Sequence, residues 1–299
     1  MDGTRYNPPN PQHRGHVLFA DLWNEKHKRA PVGILGFACD EGVKRNHGRP
    51  GAAQGPAAFR EAFYSSSSMI DSLYDFGDIT CIDGDLEASQ QVLGEAIDRL
   101  HSQTITPLVI GGGHELAWGH FQGIAPHYPE CAIINIDAHF DLRPLLNNNK
   151  GSSGTPFQQI AHLQRDRFFY YVIGIQESGN ASALFQEADR LGVEYLFAKD
   201  IEHAPEFFDR IVEKHAEIYL SVCLDAFAAS SAPGVSAPQP LGLSPDKALP
   251  LIKSIISSGK VVSCDIAELS PPYDQDGCTA RLAAAIADLL ISQTASTLP

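Results

Sequence analysis

Asn135-Ile136-Asp137-Ala138-His139-Phe140-Asp141-Leu142-Arg143 is the stretch on which the reading of this chain turns. The residues before it, Cys131 to Ile136, form an apolar run rich in β-branched side chains, the pattern of a strand buried on both faces. The polar residues therefore follow at the strand's carboxyl end. In an extended chain successive side chains alternate sides, which predicts Asp137, His139 and Asp141 on one face. Two carboxylates and an imidazole gathered there would be costly to bury unless neutralised, and a divalent cation suits that oxygen-plus-nitrogen set. Taken alone, the same residues also fit a polar strand end with a satisfied histidine, so the neighbouring segments have to decide.

Outward from this stretch, strands and helices alternate. Pro31 to Cys39, Tyr74 to Ile79, Pro107 to Ile110, Phe168 to Ile175, Val193 to Phe197, Glu217 to Leu224 and Val261 to Ile266 read as further strands. Helical periodicity marks Ala52 to Tyr64, Leu86 to His101, Leu116 to Ile124, Pro156 to Leu163, Ala183 to Leu191, Ile201 to Lys214 and a terminal helix through Ala283 to Ile291. Ser244-Pro245 reads as a helix start, with Ser244 as N-cap. The pattern predicts one three-layer α/β/α domain over 31–299, with a mainly parallel sheet of about eight strands, after a polar arm over 1–30. Ligands in such folds bind beyond the carboxyl ends of the strands. His114, the Asp137 cluster, Glu177, Asp225 and Glu268 all fall at strand ends or in the turns after them.

With 22 Lys plus Arg against 36 Asp plus Glu, the formal net charge is -14, which disfavours nucleic acid and anionic membrane surfaces as partners. An anionic substrate would need a local basic cluster. Lys44, Arg45 and Arg49 supply one in the loop from Asp40 to Gly51, directly after the first strand. Solvated surface cations are the alternative reading of that loop. Gly111-Gly112-Gly113 gives little support to a nucleotide site, because no Walker lysine follows. No apolar run approaches membrane-spanning length, the amino-terminal residues lack a hydrophobic core segment, and the six cysteines show no C-x-x-C spacing. A cytoplasmic enzyme with reduced thiols is expected, and a homo-oligomer is possible.

Three segments together carry a family resemblance. Gly111-Gly112-Gly113-His114, Asp137-Ala138-His139-Phe140-Asp141, and Ser221-Val222-Cys223-Leu224-Asp225 with Ala232-Pro233-Gly234 resemble, in order and spacing, the metal signatures of the arginase/agmatinase/formimidoylglutamase superfamily. The resemblance implies an arginase-like fold with two Mn(II) ions, or one if a site is lost, and a bridging hydroxide that cleaves a C–N bond of an amidine or guanidine. His114, Asp137 and Asp141 would hold one ion; Asp137, His139 and Asp225 would hold the other. The third signature usually reads Asp-x-Asp, and here Cys223 takes the first carboxylate's place. A thiolate is softer than Mn(II) prefers, so Cys223 is either a ligand or a small buried residue beside the site.

Within the superfamily, Gly42 to Gly55, Glu115 to Phe121, Phe140 to Arg143, Ser153 to Phe157 and Pro233 to Pro238 look most like formimidoylglutamase, the enzyme that splits N-formimidoyl-L-glutamate into L-glutamate and formamide in histidine degradation. Arg143 would pair with a carboxylate of that substrate, with Lys44, Arg45 or Arg49 beside it and Glu177 and Asn180 as further tail contacts. Guanidine-cleaving relatives often carry a histidine at the place of Ser153, which disfavours arginase or agmatinase activity. Another guanidino-acid hydrolase and a metal-poor, non-catalytic homologue are the alternatives. The resemblance makes Asp141 the carrier of a proton to the leaving amine and Glu268 the acid that orients the amidinium. Cys39 ends the first strand and Cys223 lies at the metal centre, so an oxidative Cys39–Cys223 link is a further expectation.

Overall fold

The computed structural model describes residues 32–66 and 73–296. The polar arm over 1–30 and Pro31, the first residue of the expected first strand, lie outside the described residues. The strands are β1 (Val32–Ala38), β2 (Leu73–Thr80), β3 (Thr106–Gly111), β4 (Ala132–Ile136), β5 (Tyr170–Ile175), β6 (Glu194–Phe197), β7 (Ile218–Cys223) and β8 (Val261–Ala267). They form one sheet in the order β2-β1-β3-β8-β7-β4-β5-β6, and every neighbouring pair is parallel.

Both faces of the sheet are covered, which is why its strands are apolar on alternate and intervening residues alike. On one face Val32, Ile34, Leu108, Ile110, Ile134, Ile136, Leu220 and Val222 pack against helices α2 (Gly55–Ser66), α7 (Ala204–Lys214), α8 (Pro245–Ser257) and α9 (Cys278–Ser296). On the other, Leu35, Phe37, Val109, Ile133, Val172 and Tyr219 meet α3 (Leu86–Ser102), α4 (Leu116–Ile124), α5 (Pro156–Gln164) and α6 (Ser182–Leu191). Each such aliphatic side chain removed from water contributes about 1.5–3 kcal/mol.

Three local outcomes differ from the sequence expectation. The loop after β1 contains a helical turn, α1 (Glu41–Arg45), closed by i,i+4 ion pairs from Lys44 to Asp40 and from Arg45 to Glu41. Ser244 occupies the N-cap of α8 but its side chain makes no cap hydrogen bond. Helix α9 starts at Cys278, earlier than the apolar periodicity shows, because Asp274 accepts from the amides of Thr279 and Ala280 and so satisfies the helix's first donors.

Candidate metal centre and substrate cleft

β3, β8, β7 and β4 are consecutive in the sheet although β3 and β4 are consecutive in the chain. The carboxyl ends of these four parallel strands and the turns after them therefore open at one edge, and together they carry His114, Glu268, Cys223 with Asp225, and Asp137 to Asp141. Gly112 and Gly113 donate backbone hydrogen bonds to Phe37 and Cys39, and the Glu268 amide donates to Gly112. A Cβ on Gly112 would lie 1.7 Å from the Cys39 carbonyl oxygen, so this close approach requires glycine. The turn delivers His114 over the end of β8, where its amide donates to Glu268 Oε1 at 3.0 Å.

Asp137, His139 and Asp141 do converge, but not by strand alternation. β4 ends at Ile136, and Asp141 takes a left-handed conformation with φ 49°. Glu268 is left-handed too, at φ 70°. For residues with a Cβ such conformations cost about 1–3 kcal/mol each and collect where a side chain must be aimed. The Asn180 amide fixes the turn, accepting from Phe140 N–H and donating to the carbonyls of Ala138 and Gln176.

The resulting centre has two overlapping halves. His114 Nδ1 lies 3.0 Å from Asp137 Oδ2 and 3.0 Å from Asp141 Oδ2. His139 Nδ1 lies 3.1 Å from Asp225 Oδ2 and 3.5 Å from Asp137 Oδ1. Asp137 thus turns one oxygen to each histidine, the arrangement of a bridging carboxylate. Ligand atoms of His114, Asp137 and Cys223 lie within 4.8 Å of one another, as do those of Asp137, His139 and Asp225. Asn135 Nδ2 holds Asp137 Oδ2 at 3.0 Å, and the His139 amide holds Oδ1 at 2.7 Å.

The donor set fits divalent cations. Four carboxylates and two imidazoles are crowded together, with His114, Asp137, Asp225 and Glu268 buried and His139 and Asp141 half-buried, and Asp225 Oδ1 has no hydrogen-bond partner among the described residues. Burial alone would lower the pKa of His114, yet its hydrogen bonds to Asp137 and Asp141 outweigh it and hold the imidazole well above 6.5. The same opposition, with Asp225 as the main partner, raises His139. Burial and then Asp137 raise Asp141; burial raises Asp225 and Glu268 as well. Protein without metal must share protons among these groups, and cations would displace them. Cys223, whose thiol is pushed well up by burial and by Asp137, stands as a ligand-distance neighbour of His114 and Asp137.

The cleft above the centre is lined by Arg143, Asn46, Ser153, Asn180, Ser236 and Glu268, among others. Arg143 is the one Lys or Arg on that lining among the described residues. The loop from Asp40 to Gly51 reaches it through Asn46, but Lys44, Arg45 and Arg49 are not on the lining. Lys44 is paired with Asp40 at 2.7 Å, and Arg45 is bound by Glu41, Glu87 and the carbonyls of Gly84 and Gly151. Arg49 donates to the carbonyls of Ser236 and Val235 and stacks 4.0 Å over the Tyr273 ring. Glu177 makes an exposed pair with Lys199. Asn46, which donates to Ser153 Oγ at 3.1 Å, and Ser236 are cleft residues that the sequence reading passed over. Their place within the Gly42 to Gly55 and Pro233 to Pro238 tracts is the signal that could have marked them.

All six cysteines are free, and no disulfide joins Cys39 to Cys223. Cys39 and Cys81 follow the paired residues Ala38 and Thr80 on β1 and β2, and the Cys39 thiol is hydrogen-bonded to Cys81.

A fold of eight parallel strands with this cluster at its edge is shared with known enzymes, and the chain belongs to the arginase family, whose model matches residues 30–292. Its similarity is to one branch in particular. It is 45% identical over 285 residues to formimidoylglutamase of Legionella pneumophila (strain Lens), covering 92% of this chain and 89% of that one. Against formimidoylglutamase of Geobacillus thermodenitrificans it is 47% identical over 264 residues, covering 84% and 81%. A crystal structure of Trypanosoma cruzi formiminoglutamase with Mn2+ superposes with a TM-score of 0.82 at 27% identity, covering 90% of this chain and 95% of that one.

Proposed function

We propose that this chain hydrolyses N-formimidoyl-L-glutamate to L-glutamate and formamide, using two Mn(II) ions. The observation that carries the reading is one cleft in which two overlapping candidate cation sites face, among the described residues, a single Lys or Arg side chain, Arg143. The identity to formimidoylglutamases over most of the chain supports the substrate. His114, Asp137 and Asp141, with Cys223 beside them, would hold one ion, and Asp137, His139 and Asp225 the other. When bound, such ions would supply hydroxide near neutral pH by lowering the pKa of bound water.

The chain's own residues then bind, orient and move a proton. Arg143 offers a planar fork to a substrate carboxylate, and Asn46, Ser153 and Ser236 offer polar atoms on the same cleft. Glu268, held through Oε1 by the His114 amide, faces the amidinium. Asp141 carries a proton to the glutamate nitrogen as the C–N bond breaks, while oxygen stays on the formimidoyl carbon as formamide. A carboxyl raised by burial and Asp137 suits that transfer. Asn180 shapes the turn that aims His139 and leaves the substrate tail to Arg143. Lys44, Arg45, Arg49 and Glu177 are engaged in the pairings above and do not line the cleft, so this reading assigns the substrate tail to Arg143 instead.

Reduced, Mn(II)-reconstituted protein should release glutamate from N-formimidoyl-L-glutamate and no urea from arginine or agmatine. Arg143→Ala should raise KM about 10- to 100-fold with a smaller change in kcat, the loss expected for a charged hydrogen bond of about 1.5–3 kcal/mol. Urea release from arginine, or a KM indifferent to Arg143, would reject this substrate assignment.

A further inference from the structure

Behind the cation-facing edge of His114 a chain of hydrogen bonds runs back into the sheet. His114 Nε2 lies 2.9 Å from Ser221 Oγ, and Ser221 Oγ donates to Asp265 Oδ1 at 2.6 Å. A hydroxyl has one proton. Because Ser221 gives its proton to the carboxylate, it can only accept from the imidazole, and Nε2 must carry a hydrogen. In a neutral imidazole that leaves the lone pair on Nδ1, the atom 3.0 Å from Asp137 and Asp141.

Asp265 is itself held by further donors. Its Oδ2 accepts the Tyr219 hydroxyl, and His120 Nδ1 lies 2.8 Å away. His120 Nε2 in turn lies 2.6 Å from Ser263 Oγ. Sheet register builds the arrangement: Ser221 pairs with Asp265 and Tyr219 with Ser263 across β7 and β8, and His120 reaches them from α4. Tyr219, Ser221, Asp265, Ser263 and His120 are all 0% exposed. None of these five touches the cleft, and packing alone does not call for so many polar groups in a sheet core.

We propose that Asp265 is a positioning residue for the metal centre: held by Tyr219 and His120, it fixes through Ser221 the tautomer and ring rotation of His114 that present Nδ1 to a divalent ion. The inference rests on the reading of His114 as a ligand. Asp265→Asn keeps the shape but allows an amide donor to face Ser221, so the serine proton turns towards Nε2 and the opposite tautomer is favoured.

Calorimetric titration of metal-free protein with MnCl2 tests this without any turnover. Partners of ligating histidines are typically worth 10- to 100-fold in affinity, so Asp265→Asn should weaken the ion at His114 by about that factor. The ion at His139 and Asp225 should change by less than about threefold, since its ligands lie outside the chain of donors. Ser221→Ala should shift the same site in the same direction, and it serves as the test if Asp265→Asn does not fold. Nitrogen-15 NMR of Zn(II)-loaded, histidine-labelled protein should show His114 protonated at Nε2. Folded variants with both affinities unchanged, or loss spread equally over both ions, would overturn the positioning role. Wild-type protein that binds no divalent ion would instead overturn the metal-centre reading itself.

Discussion

Cys223 is fully buried at the place where the family's third signature usually carries a carboxylate. Its thiol is held well above the ordinary range, first by burial and then by Asp137, so a cation must drive off a proton before sulfur can bind. Cys223→Asp should therefore act in opposite directions in the two states of the protein. Without metal, a further carboxylate among Asp137, Asp141, Asp225 and Glu268 adds repulsion, and the melting temperature should fall. With saturating Mn(II) the harder ligand should tighten binding about tenfold or more, and the melting temperature should rise above that of loaded wild type. Thermal scans with chelator and with MnCl2 check both signs. At this scale the sequence made the candidate ligands legible, because His114, Asp137, His139, Asp141 and Asp225 are chemically matched and spaced as strand ends. It did not show where Lys44, Arg45 and Arg49 point. A basic residue reads the same whether it faces a substrate or, as Arg45 does, a neighbouring glutamate.

The elements explain where they point. The turn from Glu41 to Arg45 becomes helical, and α1 then spends its cations on internal pairs that tie three segments together. Arg45, only 11% exposed as a side chain, reaches Glu41 on α1, Glu87 on α3 and the Gly151 carbonyl in the loop that also carries Ser153. Arg45→Met should thus cost about 1–3 kcal/mol of stability, mostly from leaving polar partners unmet, while its effect on KM stays well below that of Arg143→Ala. Urea unfolding beside steady-state kinetics separates the two. The carboxyl ends of β1 and β2 make a second local arrangement. Cys81 accepts a hydrogen bond from the Cys39 thiol, which brings the Cys81 pKa down to about 7. Cys39 itself is raised, first by that bond and then by burial. Among the six cysteines, Cys81 should be the first alkylated by iodoacetamide, at a rate that climbs as pH passes through about 7. Peptide mapping after brief labelling at pH 6 and pH 8 would show it.

At the scale of the molecule, the alternation of strands and helices in the sequence fixes a parallel sheet, but not the order of its strands. That order matters most for the site. β7 and β8, late in the chain, insert between β3 and β4, and only this brings Asp225 and Glu268 between His114 and Asp137. Long-range pairing of that kind leaves no local signal in composition or periodicity; the family signatures carried it instead. The same convergence buries Glu115, next to His114 and under α1, with Oε1 accepting the Gly42 amide at 2.8 Å. A Cβ on Gly42 would come 2.5 Å from Glu115 Cδ, so the glycine lets α1 close over the carboxyl. Burial, and then Glu268, push Glu115 up from 4.5 to about 8. Between those two values the folded chain holds a proton that the unfolded chain has released. Stability must therefore decline as pH rises across the window, by up to about 1.4 kcal/mol per pH unit from this group. Glu115→Gln removes the titration while keeping an acceptor for the Gly42 amide. Urea unfolding of metal-free wild type and variant at pH 5.5, 6.5 and 7.5 should give a stability difference that moves steadily in the variant's favour with pH. A difference that stays constant over that range would mean Glu115 is already ionised in the folded protein, and that α1 closes over a charge.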